Sequence, residues 1–270
     1  MLHLITTYYK SSEPEREAEN LECLKENINN PLIEHIHLFL QGSDYPEILD
    51  IDKKVKYINF GKRPFFSDLF GFANNLENDE IRVVANSDIY FNESIEKASE
   101  ALKRWDVLAL TRWDRLENGN LKFYNNYKSQ DVWIFRKKLK NGIGEYHIGR
   151  HGCDNKLIYE MKKAGYKLNN PSLSIIAIHL HISNLRSYFL DTSYERVDGP
   201  YDYLLPTYLN NRDTLSKDNE KYYIKSRYNY YKSKYKNHLP KQDIFILIRL
   251  LSFLKSKFYA QKLKFIEKFK

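Results

Sequence analysis

The sequence predicts an α/β protein in which a mixed, mainly parallel sheet is flanked by helices and followed by a basic helical extension. Short runs rich in β-branched and aromatic residues alternate with amphipathic segments, which is the pattern of βαβ units. The charge changes near residue 215, since residues 217–270 carry 15 Lys and Arg against 4 Asp and Glu in a chain of net charge +8. We therefore predict a domain over residues 1–215 and a basic, Tyr-rich helical tail over residues 216–270.

The predicted strands and helices follow one another along the first domain. Strands are expected at residues 2–9, 33–43, 54–61, 81–85, 106–113, 132–135 and 174–178. Helices are expected at residues 15–30, 67–76 and 94–105, and a further helix begins near Asp154 and ends at Gly165. Ser67 should cap the second helix. The face of the first helix that should pack on the sheet consists of Ala18, Leu21, Leu24 and Ile28.

Composition and length are those of an ordinary folded protein. With 42% hydrophobic and 29% charged residues, general disorder is not expected, and 270 residues suffice for one large domain with an appendage. Only two cysteines, Cys23 and Cys153, argue against a disulfide scaffold or a zinc site and fit a reducing compartment. No secretory pattern and no long apolar run are found, so neither a signal peptide nor a membrane-spanning helix is expected.

The strand over residues 81–85 ends in three polar residues, Asn86, Ser87 and Asp88. Ligands of open α/β sheets bind at the carboxyl ends of the strands, so this strand end lies where a site is expected. Buried polar side chains at such a position are costly unless they bind something. An Asp after a strand is also a common turn or capping residue, and the triplet alone does not decide between these two interpretations.

Two later stretches contain further candidate residues. His179 and His181 alternate along a strand, so both imidazoles should point to one side, where they could bind a divalent metal or a diphosphate. Asp154 opens a helix, and the N–H groups of a helix N-terminus favour the ionised carboxylate that a general base requires. The same position is the commonest one for a structural N-cap, and strand histidines are often core residues.

Taken in their order along the chain, these motifs resemble those of GT-A glycosyltransferases over about residues 1–190. Asn86-Ser87-Asp88 resembles a degenerate form of the family's DxD triplet, which holds a divalent ion on the two phosphates of a nucleotide sugar. The resemblance implies a GT-A-like fold and an Mn²⁺ or Mg²⁺ ion bound by Asp88 and by His179 or His181. Because Asn86 replaces the first carboxylate of the triplet, the resemblance leaves the metal dependence open.

The resemblance also implies residues that bind the donor and the acceptor. The implied donor-binding residues are Thr6, Thr7, Tyr8, Arg63, Asp68, Asn74, Asn86, Ser87 and Asp88. Asp131 and Trp133 would contact the acceptor, the carboxylate through sugar hydroxyls and the indole through a sugar face. Asp154 corresponds to the general base of inverting members of the family. Structural alternatives remain, since Asp68 could be a first-turn helical acid and Trp133 a core residue.

Lys62 precedes Arg63 and could also reach phosphate, as could Arg186 and Tyr188, which follow the histidine pair. The tail suggests a partner of its own, because a basic amphipathic helix with aromatic residues suits an anionic membrane surface. The alternative for the tail is a helix packed on the domain or on a second subunit. The oligomeric state is left open.

Two functions from different classes therefore compete. The first is an enzyme that moves a sugar from a nucleotide sugar, with a UDP-sugar favoured, to a glycan or lipid-linked acceptor. Such an enzyme of polysaccharide or lipopolysaccharide assembly would be cytoplasmic and peripheral at the inner face of the membrane. The second is a protein that binds nucleic acid through the Tyr/Lys tail, although no zinc-finger spacing or RNP-type motif accompanies it. A GT-A-like fold without activity is a third interpretation, because the triplet lacks its first Asp.

Overall fold

A seven-stranded sheet forms the centre of the molecule. The computed structural model describes residues 1–42, 45, 48, 50–182, 196–209, 217–237, 254–262 and 264–265, with only the backbone for 217–220 and 233–237. In spatial order the strands are β10 (Leu168–Asn169), β6 (Val107–Leu110), β9 (Val132–Phe135), β4 (Ile81–Ala85), β1 (Leu2–Tyr8), β2 (His35–Leu40) and β3 (Val55–Asn59). Neighbouring strands are parallel except around β9, which is antiparallel to β4 and β6. The predicted mixed, mainly parallel α/β sheet is confirmed.

Helices cover both faces of this sheet. They are α1 (Pro14–Asn29), α2 (Phe66–Asn74), α3 (Ala98–Ala101), which follows a 3₁₀ turn at Glu93–Lys97, and α4 (Cys153–Lys163). Successive residues of β1 divide between two apolar clusters because side chains alternate across a strand. Leu4 packs in the cluster that contains Leu24 of α1, and Ile5 packs in the cluster that contains Leu69 of α2 and Leu157 of α4.

A second, four-stranded sheet lies beyond the end of β4. Its strands, in spatial order, are β5 (Ile89–Phe91), β11 (Ala177–His179), β7 (Trp113–Arg115) and β8 (Leu121–Phe123). The sequence did not predict this sheet, and the strand expected at residues 106–113 is in fact divided between β6 and β7, one in each sheet. Pairing of β11 with β5 sets His179 opposite Ile89, directly after the polar triplet.

The helix ends and faces differ from the prediction in two places. Phe65 rather than Ser67 precedes α2, and its N–H donates to Asp68 Oδ2 at 2.7 Å, so Asp68 caps this helix. On α1, Ala18 is exposed. The buried residues of α1 are Arg16, Glu19, Asn20, Cys23, Leu24 and Asn27. This polar face can be buried because its side chains bond to backbone carbonyls of the second sheet. For example, Asn27 Nδ2 donates to Ile89 O at 2.9 Å.

The tail is helical where the structure describes it, over α5 (Lys217–Asn237) and again over residues 254–262. Ile224 of α5 is fully buried, and Tyr222 packs edge-on against Trp113, with the ring centroids 6.4 Å apart. The later stretch instead leaves Leu254 and Phe258 more than half exposed, at 52% and 60%. None of the described helices is long and apolar enough to cross a membrane. The division of the chain near residue 215 stays a prediction.

Candidate active site

A cleft of about 710 Å³ opens at the carboxyl ends of the parallel strands. Thr7 near the end of β1 and Asp88 after β4 line it, because parallel neighbours finish at the same edge of the sheet. Asp131 reaches the same edge from the opposite direction, since it precedes the antiparallel strand β9. Asp154 at the start of α4 and His179 at the end of β11 complete the lining. The strand end that the sequence singled out therefore lies in the cleft.

Two cationic side chains bind Asp88. Its Oδ2 accepts a hydrogen bond from Arg16 Nη2 at 2.5 Å and lies 3.2 Å from His179 Nε2. Burial opposes ionisation of Asp88, but His179 and Arg16 outweigh it and hold its pKa well below the ordinary value. Arg16 also donates through Nη1 to Glu19 Oε2 at 3.0 Å and to Leu180 O at 3.2 Å. The Asp88 carboxylate is therefore charged and fixed to α1 and β11.

The ion pairs continue beyond His179 along the floor of the cleft. His179 Nδ1 lies 2.9 Å from Asp114 Oδ1, which also accepts from Arg112 Nε at 3.0 Å. Arg112 Nη1 donates to Asp131 Oδ1 at 3.2 Å. Burial lowers the pKa of His179, but Asp88 and Asp114 outweigh it and raise its pKa above the ordinary value. Positive and negative side chains thus alternate from Arg16 to Asp131, and the charge of each is supported by its neighbours.

His181 differs from His179, although the two rings stack with centroids 5.4 Å apart. Burial and the neighbouring charges of Arg16 and His179 lower the pKa of His181 to about 4, so it is neutral at pH 7. Both ring nitrogens of His181 lack a hydrogen-bond partner among the described residues, and so does Asp88 Oδ1. The two histidines do share one side of the strand, as the alternation predicted.

Asp88, His179 and His181 could together hold a metal ion. One ligand atom from each lies within 4.8 Å of the others. The orphaned carboxylate oxygen of Asp88 and the neutral imidazole of His181 are donors that suit Mn²⁺. The donor set therefore fits a divalent ion once His179 has given up its proton, and Arg16 already occupies the other oxygen of Asp88.

Asp154, at the start of α4, lines the same cleft. Its Oδ1 accepts from Cys153 Sγ at 3.2 Å, and its Oδ2 accepts from Gln130 N at 3.4 Å. Removal from water and the nearby charge of Asp131 raise its pKa to about 7. The sequence predicted that the helix N-terminus favours the ionised carboxylate, whereas desolvation and Asp131 favour the protonated form.

Several predicted donor residues face away from the cleft. Thr6 is buried and donates through Oγ1 to Ala85 O at 2.9 Å, and Tyr8 donates to Glu17 in the interior. Asn74 bonds through both amide atoms to the backbone of Leu139, at 2.8 Å in each case. These side chains, like the capping residue Asp68, are engaged in joining elements of the fold and do not contribute to the cleft.

Trp133 also belongs to the core. It is 1% exposed on β9, where Phe66 packs against its ring edge-on at 6.2 Å between centroids, so a sugar cannot stack on it. The predicted residues that do line the cleft are Thr7, Arg63, Asn86, Ser87, Asp88, Asp131, Asp154, His179 and His181. Lys62 does not belong to the lining of this cleft. Arg186 and Tyr188 lie outside the described residues.

Sequence reasoning missed Arg16, Arg112 and Asp114. Arg112 and Asp114 follow β6 in "LTRWD", a polar strand end of the same kind as Asn86-Ser87-Asp88, and that signal was available. Arg16 begins a helical series of polar residues with Asn20 and Asn27, whose spacing would have shown a buried polar face.

No family model and no curated protein matches the chain. Among solved structures, S. aureus TarS 1–349 in complex with UDP-GlcNAc is 13% identical, covering 96% of this chain and 71% of that chain with a TM-score of 0.43. GalNAc-T7 with UDP, GalNAc and Mn²⁺ is 10% identical, covering 98% of this chain and 57% of that chain with a TM-score of 0.48.

The 4-diphosphocytidyl-2C-methyl-D-erythritol synthase of Anaerococcus prevotii is also similar, at 16% identity over 68% of this chain and 89% of that chain, with a TM-score of 0.42. The structural neighbours thus include GT-A glycosyltransferases and nucleotidyltransferases. At these identities and TM-scores the likeness decides nothing about the activity of this chain. The function is therefore argued from the residues of the cleft.

Proposed function

We propose that the chain is a glycosyltransferase that moves a sugar from a nucleoside-diphosphate sugar to an acceptor hydroxyl with inversion, using Asp154 as general base. One observation carries the proposal: Asp154, with a pKa of about 7, lines the same cleft as Asp88, His179 and His181. A base works best when its pKa lies near the working pH. The cluster at Asp88 supplies charged groups for a diphosphate.

The donor would lie along the β1 and β4 side of the cleft. Thr7 and Arg63 line that side, where a hydroxyl and a guanidinium suit the nucleoside and a phosphate. Asn86, Ser87 and Asp88 would then face the diphosphate. We favour a UDP-sugar, in keeping with the donor-binding role that the resemblance implies for Thr7 at the first strand end.

In the reaction, the acceptor oxygen would attack the anomeric carbon of the donor sugar while Asp154 takes up the hydroxyl proton. The bond from the anomeric carbon to the diphosphate oxygen breaks, and the nucleoside diphosphate leaves with the electron pair. A divalent ion held by Asp88, His179 and His181 would supply charge stabilisation of that leaving group. Asp131 would accept hydrogen bonds from acceptor hydroxyls, since its Oδ2 has no partner among the described residues.

The acceptor would be a glycan or a lipid-linked glycan, as in polysaccharide or lipopolysaccharide assembly. The tail supports this part of the proposal, because residues 217–270 carry a net charge of +11 and Leu254 and Phe258 are exposed. Such a tail would hold the enzyme on an anionic membrane surface, at the cytoplasmic face.

Two measurements test the proposal. Thermal-shift assays with UDP-, GDP-, CMP- and dTDP-sugars, with and without Mn²⁺, should show one nucleotide that stabilises the protein, because ligands stabilise the state that binds them. Asp154→Asn keeps the shape of the side chain and should bind that donor normally, but transfer should slow by roughly 10²–10⁴-fold.

Asp106→Asn is the matched control, since Asp106 is an acid that accepts from Lys167 N outside the cleft. It should leave the transfer rate unchanged. Stabilisation by none of the donors would exclude a nucleotide sugar, and near-normal transfer by Asp154→Asn would remove its role as base.

A further inference from the structure

Arg16 occupies an unusual place for an arginine. It lies on the buried face of α1, it is 8% exposed, and its Nη2 is 2.5 Å from Asp88 Oδ2 at the floor of the cleft. Burying a guanidinium is costly unless its charge is matched, and Asp88 and Glu19 match it here. Arg16 therefore binds the same carboxylate, Asp88, that is expected to bind a metal ion.

Metal and arginine compete for the same side chain. Asp88 is one of the three residues whose ligand atoms lie within 4.8 Å of one another, and Arg16 is bound to one of its oxygens. A divalent cation placed on Asp88 would repel the guanidinium beside it. Arg16 would then need another anion, and the nearest one that the proposed reaction supplies is the diphosphate of the donor.

We propose that Arg16 is a phosphate-binding residue of the donor site, which pairs with Asp88 in the free protein and with the donor diphosphate once nucleotide and metal are bound. This inference rests on the proposed function, because it takes the ligand to be a nucleoside diphosphate. Arginine suits the role, since its planar N–H groups bind phosphate oxygens in pairs. The exchange keeps the charge of Arg16 matched in both states.

The arrangement of the other contacts supports such an exchange. Nη1 of Arg16 is held by Glu19 Oε2 and by Leu180 O, and these two acceptors belong to α1 and to the residue after β11. They fix the guanidinium at the cleft floor independently of Asp88. Arg16 also interacts with Tyr9, and the Nη2 contact to Asp88 is the one that the diphosphate would replace.

The proposal predicts opposite changes in two affinities of Arg16→Gln, both measurable by titration calorimetry without turnover. In the absence of nucleotide, Mn²⁺ should bind the variant more tightly than the wild type, because its competitor for Asp88 is gone. At saturating Mn²⁺, UDP should bind the variant about tenfold or more weakly, since a charge-assisted hydrogen bond is lost. Uridine, which has no phosphate, should bind both proteins equally.

Arg16→Lys and Arg115→Gln complete the comparison. The lysine variant retains a cation and should recover part of the UDP affinity. Arg115 also pairs with an acid of α1, Glu22, at 2.6 Å, but it does not reach Asp88, so its variant should leave both affinities unchanged.

A purely structural ion pair predicts that Arg16→Gln weakens Mn²⁺ and UDP together or changes neither, and either result would overturn the proposal. UDP bound equally by wild type and Arg16→Gln would remove Arg16 from the donor site while leaving the proposed transferase intact. A wild-type protein that binds Mn²⁺ but no nucleoside diphosphate would overturn the proposed function together with this role.

Discussion

The charge of Asp131, together with desolvation, raises the pKa of Asp154 to about 7. Asp131 is itself held by Arg112 Nη1 at 3.2 Å and by Asn86 Nδ2 at 3.2 Å, both on its Oδ1. The two carboxyls therefore interact, and Asp154 is the one that titrates near neutral pH. That relationship makes the working pH of the proposed enzyme depend on a residue that need not touch the transferred proton.

We expect Asp131→Asn to move the acidic limb of the pH profile of kcat/KM to lower pH. The base must be deprotonated to act, and removing the neighbouring negative charge lowers the pKa at which this happens. The profile should be measured at subsaturating donor, because kcat/KM reports groups of the free enzyme. A lower rate with an unmoved limb would mean that Asp131 binds acceptor without setting the pKa of Asp154.

We expect Trp133→Phe to lower the free energy of unfolding by about 1–3 kcal/mol, because it leaves space in a packed core. The affinity for acceptor should not change, since the indole is enclosed on β9. Urea unfolding and the acceptor KM are the two measurements. Trp105→Phe, at a partly exposed tryptophan, is the control and should cost less. A weaker acceptor affinity at unchanged stability would restore Trp133 to the site.

We expect stability to fall with decreasing pH because of His37, a residue of β2 that does not line the cleft. Its Nε2 lies 2.9 Å from His3 Nδ1, and burial and the charges of His3 and His35 lower its pKa from 6.5 to about 4. Between these values the unfolded chain binds a proton that the folded chain does not, so stability present above pH 6.5 is lost as pH falls toward 4.

Between pH 7 and pH 4 the free energy of unfolding should therefore fall less for His37→Gln than for the wild type. Urea unfolding should show a difference between the two losses on the order of 1–3 kcal/mol. His151→Gln, at an exposed histidine, should follow the wild-type curve. Parallel curves for all three proteins would show that His37 does not carry this pH dependence.

We expect the tail variant Lys255→Glu/Lys257→Glu to bind anionic vesicles less well than the wild type. Each basic residue near such a surface contributes about 1 kcal/mol, roughly a fivefold change in partitioning. Co-sedimentation with vesicles containing phosphatidylglycerol measures the effect, and phosphatidylcholine vesicles give the background. Lys103→Glu, at an exposed lysine of the first domain, is the control. Equal sedimentation of all three proteins would leave the tail without a membrane role.

The sequence predicted the parts of the molecule that have a regular period. The strands over residues 81–85 and 132–135 have the predicted bounds because both are rich in β-branched or aromatic residues and polar residues follow them. The proximity of Asp88 to the later histidines was implied by the resemblance alone; in the structure the pairing of β11 with β5 brings it about, and His179 Nε2 lies 3.2 Å from Asp88 Oδ2.

The rest depended on contacts that no local pattern encodes. The strands of the second sheet are three residues long, too short to show an alternation, and β11 pairs with β5 and β7 across large sequence separations. Arg16 was missed because an apolar helical face was expected where the protein buries polar groups instead. The pKa of Asp154 depends on Asp131, and their proximity is a consequence of the fold alone.

The contact between Tyr222 of α5 and Trp113 of β7 has a practical consequence for anyone who shortens this chain. Trp113 immediately precedes Asp114, which holds His179. A protein ended before α5 would lose the aromatic support behind that strand and, with it, part of the rigidity of the ion-pair network. A shortened protein that keeps this contact should therefore extend through residue 237, and the chain beyond α5 is the candidate for removal.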